Sequence, residues 1–147
     1  MNRRQFTKTC LSCISWATLA PLAAGCSATH YTSGTIETNG ISIMKTEFDY
    51  MNNNDEVKTR SYVLVRNEAI EFPIYVYRFS DQEYSAVLMK CTHQGNELSA
   101  AGDHLTCSAH GSEFTARGTV AQGPAERNLR SFNVHVLADK IFIDLSA

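Results

Sequence analysis

The sequence predicts an all-β domain. Short apolar segments rich in Val, Ile, Tyr and Phe recur from residue 41 onward, and several alternate apolar with polar positions as half-buried strands do. No amphipathic helical pattern longer than two turns interrupts them. The predicted strands are residues 41–48, 61–65, 72–79, 84–89, 131–137 and 140–145.

Turn-forming residues separate these segments. The reversals are expected at residues 52–55 (Asn-Asn-Asn-Asp), 80–82 (Ser-Asp-Gln) and 138–139 (Ala-Asp), where Asn, Asp or Ser side chains favour a turn. The last reversal is expected to join residues 134–136 and 141–143 in a hairpin. A chain of 147 residues with 44% apolar composition has room for one such domain and its core.

Residues 1–26 are typical of an export signal. A basic start with Arg3, Arg4 and Lys8 precedes an uncharged stretch that ends in small residues. The run Asn-Arg-Arg-Gln-Phe-Thr-Lys at residues 2–8 resembles a twin-arginine signal, which suits a domain that receives a cofactor before export. A stretch of about 18 uncharged residues also fits an uncleaved membrane anchor, and this alternative stays open.

The end of this segment resembles a lipoprotein box. The run Leu-Ala-Ala-Gly-Cys at residues 22–26 implies lipidation of Cys26 and a membrane-anchored protein on the periplasmic side of a bacterial envelope. Residues 27–40 are polar and aperiodic, and we expect a flexible tether there. A tether of about 14 residues has an r.m.s. span of roughly 20 Å.

The charge of the chain disfavours nucleic-acid binding. Three of the 13 basic residues precede the first acidic one, so the chain after residue 25 carries 10 basic and 15 acidic side chains, a formal charge of −5. A mildly acidic domain suits a protein partner with a basic patch.

Two short runs carry the chemistry. Cys91-Thr92-His93-Gln94-Gly95 and Cys107-Ser108-Ala109-His110-Gly111-Ser112 each place one thiol and one imidazole on a loop. The other three cysteines, Cys10, Cys13 and Cys26, fall in the export segment. Apart from this shared role, the sequence predicts no likeness between the two loops.

This pattern resembles the Rieske family of iron-sulfur proteins. The resemblance implies a 2Fe-2S cluster in which Cys91 and Cys107 hold one iron while His93 and His110 hold the other. It also implies a Rieske-type antiparallel β sandwich over residues 41–147, with a small cluster-binding subdomain inserted at about residues 90–127. Such a domain is an electron carrier with no substrate-transforming site of its own.

The resemblance also implies roles for neighbouring residues. Ser112 is expected to donate a hydrogen bond to cluster sulfur, Pro124 lies in a loop that covers the cluster, and Gly95 and Gly111 allow close backbone approach. Phe114 stands where high-potential members have tyrosine. These features predict an intermediate reduction potential.

Another departure is the absence of the extra cysteine pair found in respiratory members of the family. Asn96 and Ala109 occupy those positions. The resemblance therefore implies a domain without that disulfide, as in the ferredoxins of aromatic-ring dioxygenases.

Other readings of the four donors remain open. Two Cys and two His also suit tetrahedral zinc, although zinc modules usually pair Cys with Cys and His with His along the chain. Two lone cysteines in an oxidising compartment also suit a disulfide, which would make the chain a stapled binding module. For an electron carrier, the expected partners are a c-type cytochrome, a molybdenum enzyme or the quinol site of a cytochrome bc-type complex.

Overall fold

The computed structural model describes residues 29–146. Within that range the chain forms fourteen β strands and one short 3-10 helix, Lys45–Phe48, which confirms the all-β prediction. The strands are β1 Tyr31–Thr32, β2 Thr35–Glu37, β3 Gly40–Met44, β4 Asp49–Met51, β5 Val57–Thr59, β6 Tyr62–Val65, β7 Ile74–Ser80, β8 Glu83–Leu88, β9 Ser99–Ala101, β10 His104–Thr106, β11 Glu113–Thr115, β12 Val120–Gln122, β13 Ser131–Val136 and β14 Lys140–Asp144.

Eight strands form one large curled sheet in the order β1-β6-β7-β8-β13-β14-β3-β2. All neighbours are antiparallel except β1 and β6, which run parallel. The two end strands, β1 and β2, are separated only by Ser33 and Gly34. The curled sheet therefore has its two edges held together by one short piece of chain.

The inside of the curl is the first hydrophobic core. Alternate residues of β3, β6, β7 and β14 point into it, as the period of two in a strand requires. Its most deeply buried members include Ile41, Val63, Val65, Ile74, Val76, Ile141 and Ile143. Strands β6 and β7 are thus fixed in register by burial on this face.

The other face of β6, β7 and β8 supports a second core beneath the small sheet β12-β11-β10-β9. Tyr75 lies fully buried there with Leu64, and its hydroxyl donates a 2.6 Å hydrogen bond to the carbonyl of Gly102. Burial raises the pKa of Tyr75 far above its ordinary value, so this phenol is a neutral donor. The bond ties the subdomain to the large sheet.

The structure confirms the main predicted reversals. Strands β13 and β14 form the expected hairpin, with Val134 opposite Ile143 and Val136 opposite Ile141. The reversal at residues 52–55 is also present, flanked by the short strands β4 and β5 that the sequence did not predict. Their residues are all exposed, which removes the apolar alternation that would have indicated them.

Two predictions require correction. The strand expected at residues 41–48 ends at Met44, because the following 3-10 helix turns Phe48 under the core, where its ring packs edge-on against Tyr84 at 5.5 Å. The flexible tether expected at residues 27–40 is wrong where Tyr31–Thr32 and Thr35–Glu37 form β1 and β2. Backbone hydrogen bonds to β6 and β3 hold this polar segment without an apolar pattern.

The predicted export signal, residues 1–26, and the predicted lipidation site at Cys26 lie outside the described residues. No helix between residues 29 and 146 is long and apolar enough to cross a bilayer.

Candidate metal centre

The first loop connects β8 to β9 and begins at Cys91. The Cys91 N–H donates to the carbonyl of Asn96, and the Gly95 N–H donates back to the carbonyl of Cys91, both at 2.8 Å. Gly95 has φ of 79°, in the left-handed region that favours glycine. The loop is therefore a tight turn, closed by two hydrogen bonds that both involve the backbone of Cys91.

The second loop, between β10 and β11, repeats this arrangement. The Cys107 N–H donates to the carbonyl of Ser112 and the Gly111 N–H donates to that of Cys107, again at 2.8 Å. Gly111 has φ of 78°, and a methyl group there would meet nothing within 4 Å. Glycine is therefore favoured at position 111 by the positive φ and not by a lack of space. The expectation that the loops are alike only in role is wrong, since their backbones match.

The cysteines and the histidines of the two loops differ in burial. Cys91 and Cys107 are each 2% exposed, are not disulfide-bonded, and belong to the second core. His93 is half-buried and His110 is exposed. Their rings meet edge to face, with centroids 4.9 Å apart at 89°. The thiols thus lie inside the protein and the imidazoles at its surface.

His93 carries the clearest sign that this site can ligate a metal. Its Nδ1 atom is buried and has no hydrogen-bond partner. Buried side-chain nitrogens are normally satisfied, and an orphaned imidazole nitrogen beside a second imidazole and two buried thiols suits metal ligation. Thiolate and imidazole are the donors that a Rieske-type 2Fe-2S cluster takes, so the residues present fit that group.

The described residues contain no set of three or more His, Cys, Asp or Glu side chains placed to hold a single ion. A bridged pair of irons requires only two protein donors at each end.

A third loop, the proline loop (residues 123–130, between β12 and β13), is hydrogen-bonded to both ligand loops. The Ala125 N–H, after Gly123 and the exposed Pro124, donates to the fully buried Ser112 hydroxyl at 3.0 Å. Two further contacts hold it: Thr92 Oγ1 donates to the carbonyl of Arg127 at 2.5 Å and Gln122 Nε2 donates to that of Gly111 at 3.1 Å. Each candidate ligand loop is therefore bonded to the proline loop.

Sequence reasoning missed Thr92 and Gln122 as contributors to this site. Thr92 lies within the first run, between Cys91 and His93, but its partner is 35 positions away along the chain. Gln122 belongs to no motif. Nothing in the sequence indicated either bond.

The remaining predicted residues have distinct surroundings. Phe114 is fully buried in the subdomain core, opposite Leu105 on β10. Asn96 and Ala109, at the positions of the absent cysteine pair, are both exposed. The histidine at position 104 lies on β10 near Asp103, outside the pair of loops.

The Rieske [2Fe-2S] domain family matches residues 49–133, which include both loops and the proline loop. This chain belongs to the Rieske family.

The similar curated proteins include iron-sulfur subunits of cytochrome b6-f complexes. The chain is 38% identical over 55 residues to the cytochrome b6-f complex iron-sulfur subunit of Synechococcus elongatus, covering 36% of this chain and 31% of that protein. It is 36% identical over 59 residues to cytochrome b6-f complex iron-sulfur subunit 2 of Trichormus variabilis, covering 39% of this chain and 33% of the relative. The chain thus matches about a third of the length of these curated relatives.

Solved structures show the same fold. The plasma membrane Rieske protein PetC3 of Synechocystis PCC 6803 superposes with a TM-score of 0.50 at 28% identity, covering 57% of this chain and 86% of that one. The quaternary ammonium Rieske monooxygenase CntA superposes with a TM-score of 0.53 at 20% identity, covering 73% of this chain and 33% of CntA, and shows the fold alone. Membership of this family implies a 2Fe-2S cluster and one-electron transfer.

The contact between Thr92 and Arg127 leads to a testable expectation. Thr92→Val keeps the side-chain shape but removes a hydrogen bond worth about 1 kcal/mol, so a chelator should bleach the protein roughly fivefold faster. The loss of visible absorbance with time measures this rate. Ser108→Ala, at an exposed position of the second loop, is the control and should bleach at the wild-type rate. Equal rates for Thr92→Val and wild type would contradict the role of the bond.

Proposed function

We propose that this chain transfers single electrons through a 2Fe-2S cluster held by Cys91, His93, Cys107 and His110. The observation that carries the proposal is the pair of matching loops, which bury two thiols and bring two imidazoles into contact at the surface. When bound, the cluster supplies one-electron storage. No substrate-transforming site is proposed for the domain.

The chain's own residues divide the work of that centre. The two cysteines lie in an apolar core that keeps water away from the sulfur side, while His93 and His110 lie where a partner can approach. The proline loop is hydrogen-bonded to Ser112 and to Thr92, which links the two ligand loops and supports its proposed position over the cluster.

Ligand charge sets the range of the reduction potential. Two ferric ions, two sulfides and two thiolates sum to zero, so neutral imidazoles leave the oxidised centre uncharged and the reduced one at −1. An all-thiolate cluster would become more negative and would resist reduction. The proposed ligand set therefore places the potential within roughly −150 to +300 mV.

The setting of the electron transfer is also a proposal. The relatives are cytochrome b6-f iron-sulfur subunits, and one structural neighbour is a plasma membrane Rieske protein. Together with the signal-like residues 1–26, these support a carrier or small oxidoreductase subunit on the periplasmic side of a bacterial membrane. A c-type cytochrome or a molybdenum enzyme would serve as its redox partner.

A second candidate function has support of its own. The similarity to cytochrome b6-f subunits favours membership of a quinol-oxidising complex of the bc type, in which the partner is a quinol site. Purification of the complex from native membranes separates the two. A subunit would co-purify with a multi-span cytochrome, whereas a carrier would be recovered without one.

A redox titration tests the proposed function. Protein purified from an iron-replete host should bleach reversibly, with one electron per chain and a midpoint within the stated range. A colourless zinc protein would show no redox transition. A disulfide-stapled module would show no visible absorbance, and its denatured form would lack free thiols at Cys91 and Cys107.

The anchor leads to a separate prediction. Cys26→Ala should move the protein from the membrane fraction to the soluble fraction, because the lipid attachment would be lost. Immunoblotting of fractionated cells measures this distribution. Cys13→Ala changes a cysteine outside the lipoprotein box and should leave the protein in membranes. A membrane-bound Cys26→Ala variant would instead support the uncleaved anchor.

A further inference from the structure

Lys90 directly precedes Cys91, and its side chain lies along the first ligand loop. Its Cε atom is 3.4 Å from the position that a Cβ would take on Gly95, whose N–H bonds to the carbonyl of Cys91. The aliphatic stem of Lys90 is thus in van der Waals reach of the turn that presents Cys91 and His93.

The ammonium group of Lys90 makes two contacts of its own. Its Nζ lies 4.8 Å from the centroid of the Phe72 ring and 3.5 Å from a carboxylate oxygen of Glu71. A cation over an aromatic face is attracted to it, which limits the positions of a long side chain. The pair with Glu71 is weaker, because that carboxylate is 77% exposed.

A second ion pair, between Arg66 and Glu97, lies beside the pair of Lys90 and Glu71. Glu97, whose backbone pairs with Lys90, contacts Arg66 at 2.5 Å. The charged side chains of these two pairs, beside the first ligand loop, are therefore two cations and two anions. The Lys90 side chain lies against the ligand loop at Gly95.

We propose that the positive charge of Lys90 raises the reduction potential of the cluster. This inference rests on the proposed function, in which the centre passes from neutral to −1 on reduction. A fixed cation nearby stabilises the more negative state, and Glu71 offsets part of that effect. We expect the charge to change the reduction equilibrium about two- to fourfold, the size that Coulomb's law gives for two unit charges that water largely screens.

Four variants of the full chain test the proposal by voltammetry. Lys90→Gln should lower the midpoint potential by an amount equal to that two- to fourfold change, and Lys90→Arg should keep the wild-type value because it keeps the charge. Glu71→Gln should raise the potential. Lys140→Gln, which removes a cation paired with Glu37 on the other half of the large sheet, should leave it unchanged.

Salt dependence provides an independent readout. Lys90 is 43% exposed, so the difference between Lys90→Gln and wild type should shrink as the Debye length falls from about 30 Å at 0.01 M salt to about 3 Å at 1 M. A lost packing contact would give a difference that salt does not change. Such a result, or a Lys90→Arg potential as low as that of Lys90→Gln, would overturn the proposal.

The outcomes also separate this inference from the proposed function. If wild type shows the spectrum of a reduced cluster and Lys90→Gln and Glu71→Gln match its potential, only the role of Lys90 fails. If wild type holds no cluster, the proposed function fails first. Should Lys90→Gln not fold, the exposed Glu71→Gln still decides, since an unchanged or lowered potential would contradict the charge argument.

Discussion

Replacing His110 by alanine is expected to give a folded protein that lacks colour, iron and acid-labile sulfide. The His110 side chain is exposed, and its described contact is the ring of His93, so its removal should cost the fold little. One iron of the proposed cluster would lose a donor. Removal of an outer-shell partner alone typically weakens metal binding ~10–100-fold, and loss of a direct ligand should exceed that.

The matched control for this experiment is His104→Ala. His104 is also in the small subdomain, and its side chain is 49% exposed and lies 3.2 Å from Asp103. This variant should keep wild-type iron and sulfide content. Circular dichroism shows whether both variants fold. Full cluster occupancy in folded His110→Ala would remove that histidine from the ligand set.

The second large effect is expected at Ser112. Its buried hydroxyl accepts a hydrogen bond from the Ala125 N–H, and no protein acceptor for the hydroxyl proton is present among the described residues. We propose that this proton is donated to cluster sulfur, which would stabilise the more negative reduced state. A hydrogen bond to a charged group contributes about 1.5–3 kcal/mol, so Ser112→Ala should lower the potential by roughly 60–130 mV.

Protein-film voltammetry measures that shift, and electron paramagnetic resonance confirms that the cluster is still bound. Ser112→Ala also leaves the Ala125 N–H without its acceptor, at a cost of about 1–3 kcal/mol in unfolding free energy. Ser108→Ala removes an exposed hydroxyl from the same loop and should change neither quantity. A Ser112→Ala potential equal to that of wild type would contradict the proposed donation.

Phe114→Tyr tests the same idea in the opposite direction. The Phe114 ring is fully buried in the subdomain core beneath the second loop. A hydroxyl added there would supply the donor that high-potential members of the family carry, so the potential should rise. A cluster-containing Phe114→Tyr protein with an unchanged or lower potential would remove Phe114 from the account of the intermediate potential.

The strands of the large sheet were predictable because their buried positions are occupied by apolar residues. Residues 62–65 and 74–76 are almost wholly apolar, since cores lie on both faces of β6 and β7. The final hairpin was predictable because the short reversal at Ala138 and Asp139 separates two segments with β-branched residues at alternate positions. In each case the side chains that specify the strand are also the ones it buries.

Elements held by backbone hydrogen bonds escaped prediction. Residues 31–37 are polar and mostly exposed, and they close the large sheet through pairing with β6 and β3 alone. The short strands β9 and β12 bury little surface and have no readable period. Strand pairing of this kind depends on what lies opposite, which local sequence does not contain.

The sequence predicted which residues form the candidate site, but it did not predict that the two loops have the same backbone conformation. The distance from cysteine to glycine is four positions in both loops, Cys91 to Gly95 and Cys107 to Gly111, and the matching hydrogen bonds depend on that spacing. The histidine falls at a different position in each loop, which hid the likeness. The bonds made by Thr92 and Gln122 depend on the fold and had no signal in the sequence.

The ligand set itself can be measured directly. Pulsed electron paramagnetic resonance on the reduced protein, grown with ¹⁵N-labelled histidine, detects nitrogen atoms bonded to the cluster. We expect two strongly coupled ¹⁵N nuclei in wild type and in His104→Ala. A reduced cluster without strongly coupled histidine nitrogen, or a protein with no paramagnetic reduced state, would contradict it.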